Sequence, residues 1–418
     1  MSCSVDVDTG CRWELESWKR TDVKYATINN QRGLEAFCDR ISAEPWIGFD
    51  TEFVSEDRYR PQLCLLQVAA GDHLAIIDPF KTQNTMPFWD LISTPGRTVL
   101  AHAAREEIRF CYRFTGKPIA GLFDIQLAAA FIGLEYPASL GTLTQRLLGK
   151  TLAKGESRTN WRDRPLSQHQ LKYAIQDVTE LRAMQSTLVQ RIQELGRIEW
   201  LAEETEALQR AVIHSEGQQN WRRVSGMNRL TPRQMEIVRQ IWFWREARAE
   251  LLDRPSKHVL RDDLVVELAR RETSDVERIR SVRGMERRNL APFYHEIAGA
   301  IRTALQTDDA DLPHRTRHKS ISFSNILSQF LSLSIGCICR QNQIAPSIVG
   351  NMDEVRQLLV HELSPTDSEE LPALLRGWRS EVIGKSFRHL LAGELAIRVV
   401  DRESDEPLEF IEVPRGSW

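Results

Sequence analysis

The chain has 418 residues, 42% hydrophobic and 27% charged, with a formal net charge of −3. Its length fits two to four globular domains, and its composition excludes a disordered or low-complexity scaffold. The charge balance excludes a simple polycationic nucleic-acid coat, but not an enzyme that holds a polyanion through metal ions.

Residues 1–23 read as a polar arm. Asp6, Asp8, Glu14 and Glu16 rule out a signal peptide there. Residues 24–210 read as one domain, with an α/β pattern from about 24 to 135 and no strand signals from 167 to 210. Short apolar runs at Ile47–Asp50, Leu63–Val68, Leu74–Ile77 and Thr98–Ala101 are bounded by Pro, Gly or Asp and predict buried strands. Segments near 31–42, 104–114 and 125–132 predict helices. Ser167 opens a further helix with Leu171, Ala174, Ile175 and Val178 on one face. Residues 211–227 read as a linker, with the polar run Glu216–Asn220 inside it.

A compact helical module covers 228–305. Thr231-Pro232 supplies an N-cap and a first-turn proline. The helix that follows is expected to bury Ile237, Val238, Ile241, Trp242 and Leu251. Shorter helices follow near 263–271 and 275–281, then a longer one up to Leu305. Residues 306–320 read as a second linker. A second helical segment spans 321–400, with Trp378 as a core anchor, and 401–418 forms an acidic tail. Seven cysteines, an odd number without a C-x-x-C pair, suggest reduced thiols and a cytoplasmic protein. No apolar run is long enough to span a membrane.

Four features carry chemistry. Asp50-x-Glu52 lies in a predicted strand, where residues two apart share a side, so both carboxylates can hold a hard divalent cation. Tyr173 and Asp177 are four apart on a predicted helix and share a face. His102 precedes Glu106 and Glu107 at the start of another helix. A polar, basic loop carries Lys154, Arg158, Trp161 and Arg164, and basic groups beside an aromatic suit a nucleic-acid strand. His314 and His318 lack cysteine partners and make a poor zinc site. Neither G-x-G-x-x-G nor G-x-x-x-x-G-K-[S/T] occurs, so nothing points to a nucleotide cofactor.

Taken together, "IGFDTEF", "LFDIQLAAAF" and "KGESRTNWRDRPLSQHQLKYAIQDV" resemble the DEDD superfamily of 3′→5′ exonucleases, in its tyrosine-bearing branch, and more closely the ribonuclease D family. The resemblance covers roughly residues 24–200. It implies a ribonuclease H-like α/β fold with a mixed sheet for 24–210. It implies a site of Asp50, Glu52, Glu107, Tyr173 and Asp177, in which the four acids hold two divalent ions, Mg²⁺ or Mn²⁺. Glu107 stands where the family normally has Asp, and Glu106 is the alternative if the helix register shifts by one. His102, Lys154, Arg158, Trp161 and Arg164 are the expected substrate-binding set.

Residues 228–305 resemble the helicase-and-RNase-D C-terminal (HRDC) domain, through "FWREARAELLDRPSKHVLRDDLVVELARRE" and "IRSVRGMERRNL". Residues 321–400 read as a second HRDC-like, all-α domain. Residues 211–305 hold 18 Lys and Arg against 13 Asp and Glu, a net of +5, whereas 321–418 hold 9 against 14, a net of −5. The basic module, with Arg280, Arg283, Arg287 and Arg288, is therefore the one that can meet RNA phosphates, or else it is a solvated basic face. The activity implied is removal of nucleoside monophosphates from the 3′ ends of RNA, with tRNA precursors as partners and a monomeric enzyme. The rivals are a DNA exonuclease using the same site, and a catalytically weak RNA-binding protein in which Glu107 disables metal binding.

Overall fold

The computed structural model describes residues 15–16, 24–152, 159–217, 220–314, 324–363, 371–403 and 407–414. Of the expected 1–23 arm only Leu15–Glu16 falls within these; the rest lies outside the described residues.

Seven strands build the main sheet: β1 Leu15–Glu16, β2 Tyr25–Ile28, β3 Trp46–Val54, β4 Gln62–Ala70, β5 His73–Ile77, β6 Thr98–Ala101 and β7 Leu122–Asp124, in the spatial order β1-β2-β5-β4-β3-β6-β7. β3, β4 and β5 form an antiparallel meander, and β2, β6 and β7 join in parallel, so the sheet is mixed. Gly71-Asp72 closes the β4–β5 hairpin in two residues, because Ala70 pairs with His73. Gly71 takes a positive φ of 53°, as such a tight hairpin favours. β4 is central and covered on both faces, which explains its unbroken apolar run.

Helices Gln31–Ile41, Met86–Ser93 and Arg105–Thr115 contribute to a core with Phe49, Val68, Ile77 and Trp89 on one face of the sheet. On the other face helix Gln168–Thr179 lies across β3, β4 and β5. The sequence signals missed three strands, β1, β2 and β7: β1 and β7 have two and three residues, too few to show a period, and β2, Tyr-Ala-Thr-Ile, lacks the Val-Leu-Ala run that marks the equally short β6.

The module around Thr231 has its own core, running from Trp221 to Ala304. Thr231 and Gln234 form a capping box with Pro232 in the first turn, and the helix runs Pro232–Leu252. Leu251, expected inside, is 72% exposed. The buried stripe passes through Met235, Val238, Ile241, Arg245 and Ala249, and Leu251 lies off it. Helices Asp262–Arg271, Val276–Arg280 and Tyr294–Gln306 complete the module.

The expected 211–227 linker is largely built into its neighbours. Helix Ile198–Gly217 runs through its first part, where Val212 is buried in the exonuclease-side core. Glu216 pairs with Arg113 at 2.6 Å and Arg109 at 3.2 Å. Trp221 and Val224 already belong to the next core.

The last segment is not a free appendage. Leu331, Ile335, Trp378 and Phe387 share one core with Phe131, Leu188 and Ile192 of the α/β unit. Trp378 is fully buried, and its indole N–H donates to Glu204 at 3.0 Å. Arg197 donates to the backbone carbonyls of Phe131, Asn342 and Gln343, tying the two parts together. The expected acidic tail is in part a hairpin: β8 Leu395–Val399 pairs antiparallel with β9 Leu408–Glu412. Phe410 packs against the shared core beside Leu395 and Ile397. The acids between 401 and 406 mask this short apolar pattern. Among the described residues no helix is long and apolar enough to cross a membrane, and Cys38, Cys64, Cys111, Cys337 and Cys339 are free.

Candidate active site

β3 runs well past the short strand expected over Ile47–Asp50. Only Trp46–Gly48 pair with β6, whereas the other edge stays bonded to β4. Asp50 and Glu52 therefore sit where one strand edge has opened, on the same face by the period of two. Helix Gln168–Thr179 starts at a capping box between Ser167 and Gln170 and brings Tyr173 and Asp177 over that face. One carboxylate oxygen each of Asp50, Glu52 and Asp177 lies within 4.8 Å of the others. The Tyr173 hydroxyl donates to Asp177.

Glu107 reaches the site from the first turn of helix Arg105–Thr115. It is 5% exposed, and its Oε1 accepts a 2.6 Å hydrogen bond from the Thr51 hydroxyl, between the two strand acids. Glu106 is instead paired with Arg109 on its own helix. The register thus turns Glu107, not Glu106, toward Asp50.

Asp124, at the end of β7, holds this turn from behind. Its oxygens accept from Ala103 N at 3.1 Å and Ala104 N at 2.9 Å, and also cap helix Ile125–Ala130. Ala103 is held at a φ of 57°, a strained value for a non-glycine residue. The sequence reading passed over Asp124, although an Asp directly before Ile125-Gln126-Leu127 carries an N-cap signal.

The acids hold their protons far above the usual carboxylate range. Burial, then Asp177, pushes Asp50 up. Burial, then Asp50, Asp177 and Glu107, pushes Glu52 to about 9. Burial and Asp50 push Glu107 to about 8, and burial pushes Asp177 to about 7. Burial, then Asp177, also raises the Tyr173 hydroxyl, so Tyr173 is a hydrogen-bond donor and not a base near neutrality. Crowded like charges of this kind need either protons or an outside cation. The donors are all carboxylate oxygens, a set suited to hard divalent ions. The residues therefore fit the divalent metal that the fold implies.

The expected substrate-binding set divides. His102 is half-buried beside the site, and its Nε2 donates to Ala138 O at 3.0 Å. Burial pushes its pKa down, against the pull of Asp124. Lys154 and Arg158 lie outside the described residues, as does His318. Trp161 is 1% exposed and packs with Tyr173 at 6.1 Å between ring centroids, so it cannot stack on a base. Arg164 is spent internally: it pairs with Asp78 at 2.8 Å and donates to the carbonyls of Cys64 and Trp161. Both residues pin the loop and do not face a substrate. Arg162, overlooked in the sequence, is a further cation of the loop. It binds Asp57 at 2.5 Å and Gln62 at 3.0 Å. The adjoining β3–β4 turn holds the helical module, through Arg58 to Asp253 at 2.5 Å and Arg60 to Glu250 at 2.8 Å.

A mixed sheet with two strand acids, a third acid and a tyrosine on a crossing helix, and a fourth acid behind the strand edge defines a DEDD-type 3′→5′ exonuclease. A 3′-5′ exonuclease family model matches residues 25–193, and an HRDC domain model matches residues 234–301. A ribonuclease D of Acidiphilium cryptum is 31% identical over 93% of this chain and 97% of its own length. One from Granulibacter bethesdensis is 31% identical over 89% and 94%. The crystal structure of Escherichia coli RNase D, described as an exoribonuclease involved in structured RNA processing, superposes with a TM-score of 0.77 at 25% identity, covering 88% of this chain and 99% of that one. The chain belongs to the ribonuclease D family and is a 3′→5′ exoribonuclease.

Proposed function

We propose that the chain trims structured RNA from free 3′ ends, with tRNA precursors as its substrates, acting in the cytoplasm as a monomer. The observation that carries the site assignment is the meeting of Asp50, Glu52 and Asp177 within 4.8 Å. In this reading Asp50, Glu52, Glu107 and Asp177 hold two Mg²⁺ or Mn²⁺ ions. When bound, such ions supply an activated water and neutralise charge on the reacting phosphate.

The chain's own residues do the rest. Tyr173, whose hydroxyl proton goes to Asp177, orients the attacking water by accepting a hydrogen bond from it. Thr51 holds the Glu107 carboxylate in place. Water attacks the last phosphodiester, and the 3′ oxygen of the penultimate nucleotide leaves, freeing a nucleoside 5′-monophosphate. The exposed Arg280, Arg283, Arg287 and Arg288 of the HRDC module supply phosphate contacts further along the RNA. The RNA Processing role named for the E. coli relative supports the substrate class.

The test uses purified protein with 3′-extended tRNA and single-stranded DNA, with Mg²⁺ or Mn²⁺ and with chelator. Laddered, metal-dependent shortening of the tRNA alone is expected. Binding without any product would overturn the catalytic reading.

A further inference from the structure

Gln67 sits in the middle of β4, fully buried, and neither its amide nitrogen nor its amide oxygen has a hydrogen-bond partner. Its cross-strand neighbours are Asp50 on β3 and Ile76 on β5. Directly opposed residues of an antiparallel pair project to the same face. The amide thus lies on the face of the acidic cluster, under helix Gln168–Thr179. Apolar side chains lie beside it there, with Leu65, Ile76, Ala174 and Ile175 in one cluster. Ile76 offers an amide nothing, whereas Asp50 offers a carboxylate that only accepts when ionised. Buried amides are costly to leave unpaired, and a Leu or Met would fill this place without that cost.

We propose that Gln67 is a positioning residue for the metal-binding acids: its Nε2–H donates to the Asp50 carboxylate when divalent cations are bound, fixing which oxygen Asp50 presents. This rests on the reading that Asp50, Glu52 and Asp177 hold metal. Groups that orient metal ligands from behind typically change metal affinity by about 10–100-fold when removed.

The experiment measures Mn²⁺ binding by calorimetry on the full chain without RNA, for the parent, Gln67→Met and Gln67→Leu. Both variants are expected to melt at the parent's temperature or above without metal, and to bind Mn²⁺ about tenfold more weakly. A variant that binds Mn²⁺ as tightly as the parent overturns the role of Gln67 while leaving the metal site intact. A parent that binds no Mn²⁺ overturns the metal site itself. Should both variants fail to fold, a crystal structure of the parent grown with Mn²⁺ decides: an amide within hydrogen-bond distance of Asp50 supports the proposal, and one turned away overturns it.

Discussion

The acid cluster of the exonuclease unit and Asp262 of the HRDC module are enclosed in opposite ways. In the HRDC core, Asp262 has Arg245 at 2.7 Å and Lys257 at 3.2 Å. Burial pushes its carboxyl up, but Arg245, the Ser225 backbone N–H and Lys257 together pull it below the usual range. In the exonuclease unit, Asp50, Glu52, Glu107 and Asp177 have each other, and each is pushed up. The contrast separates an acid that serves folding from acids that serve chemistry. Where the fold needs a carboxylate it supplies the cation; where the reaction needs one it leaves the charge for an outside ion.

The largest test of that contrast is Asp50→Ala. Several kcal/mol of electrostatic stabilisation depend on the acid cluster, so hydrolysis of a 3′-tailed RNA should fall by about three orders of magnitude or more. The same variant should melt no lower than the parent in chelator, because it removes a repelling neighbour. A parent-like rate for Asp50→Ala would overturn the site.

Arg245→Met does the reverse. It strands Asp262 without its main cation inside the HRDC core, which costs about 3–5 kcal/mol for a buried pair. Urea unfolding followed by fluorescence of Trp221, Trp242 and Trp244 should show the helical module opening early. Trimming of a short single-stranded RNA should persist. A loss under about 1 kcal/mol would mean that Asp262 is as poorly compensated as the site acids.

pH should separate the two regions next. A raised folded pKa means that the folded state binds the extra proton, so that stability is greatest below the unfolded value near 4. It is lost as pH climbs through about 7 for Asp177, about 8 for Glu107 and about 9 for Glu52. In chelator the Tm should therefore drop by several degrees from pH 6 to pH 9, and Mg²⁺ should restore it. Asp262 works with the opposite sign: its lowered pKa contributes stability above pH 4 that is lost in acid. A chelated Tm that is flat from pH 6 to 9 would break the comparison.

The same contrast explains what the sequence made legible. Asp50 with Glu52 and Tyr173 with Asp177 are spaced by the periods of strand and helix, so local geometry alone places each pair on one face. Trp161 and Arg164 were misread because a loop's basic and aromatic residues look alike whether they point outward or inward. The partner that turns Arg164 inward, Asp78, is 86 residues away. Glu216 looked like linker for the same reason, since its partner Arg113 is 103 residues distant. The last helical segment looked like an appendage because its apolar stripe does not announce that the other half of its core lies around Phe131 and Leu188. Periodicity was readable; long-range pairing was not.

Glu107→Asp carries the smallest expected effect and the finest distinction. Asp is shorter by one methylene, about 1.5 Å of reach. In this chain part of the longer reach goes sideways, into the 2.6 Å bond from Thr51. Shortening the side chain gives up that bond, but leaves a carboxylate turned toward Asp50. Activity should stay within about fivefold of the parent or rise, since one hydrogen bond contributes about 1 kcal/mol. Thr51→Val should then lower activity in the parent and do little in the Glu107→Asp background, because the bond it removes is already gone. A Glu107→Asp loss as large as that of Asp50→Ala would show that the extra methylene is needed for direct metal contact, and that Glu107 belongs with Asp50, Glu52 and Asp177 as an equal ligand.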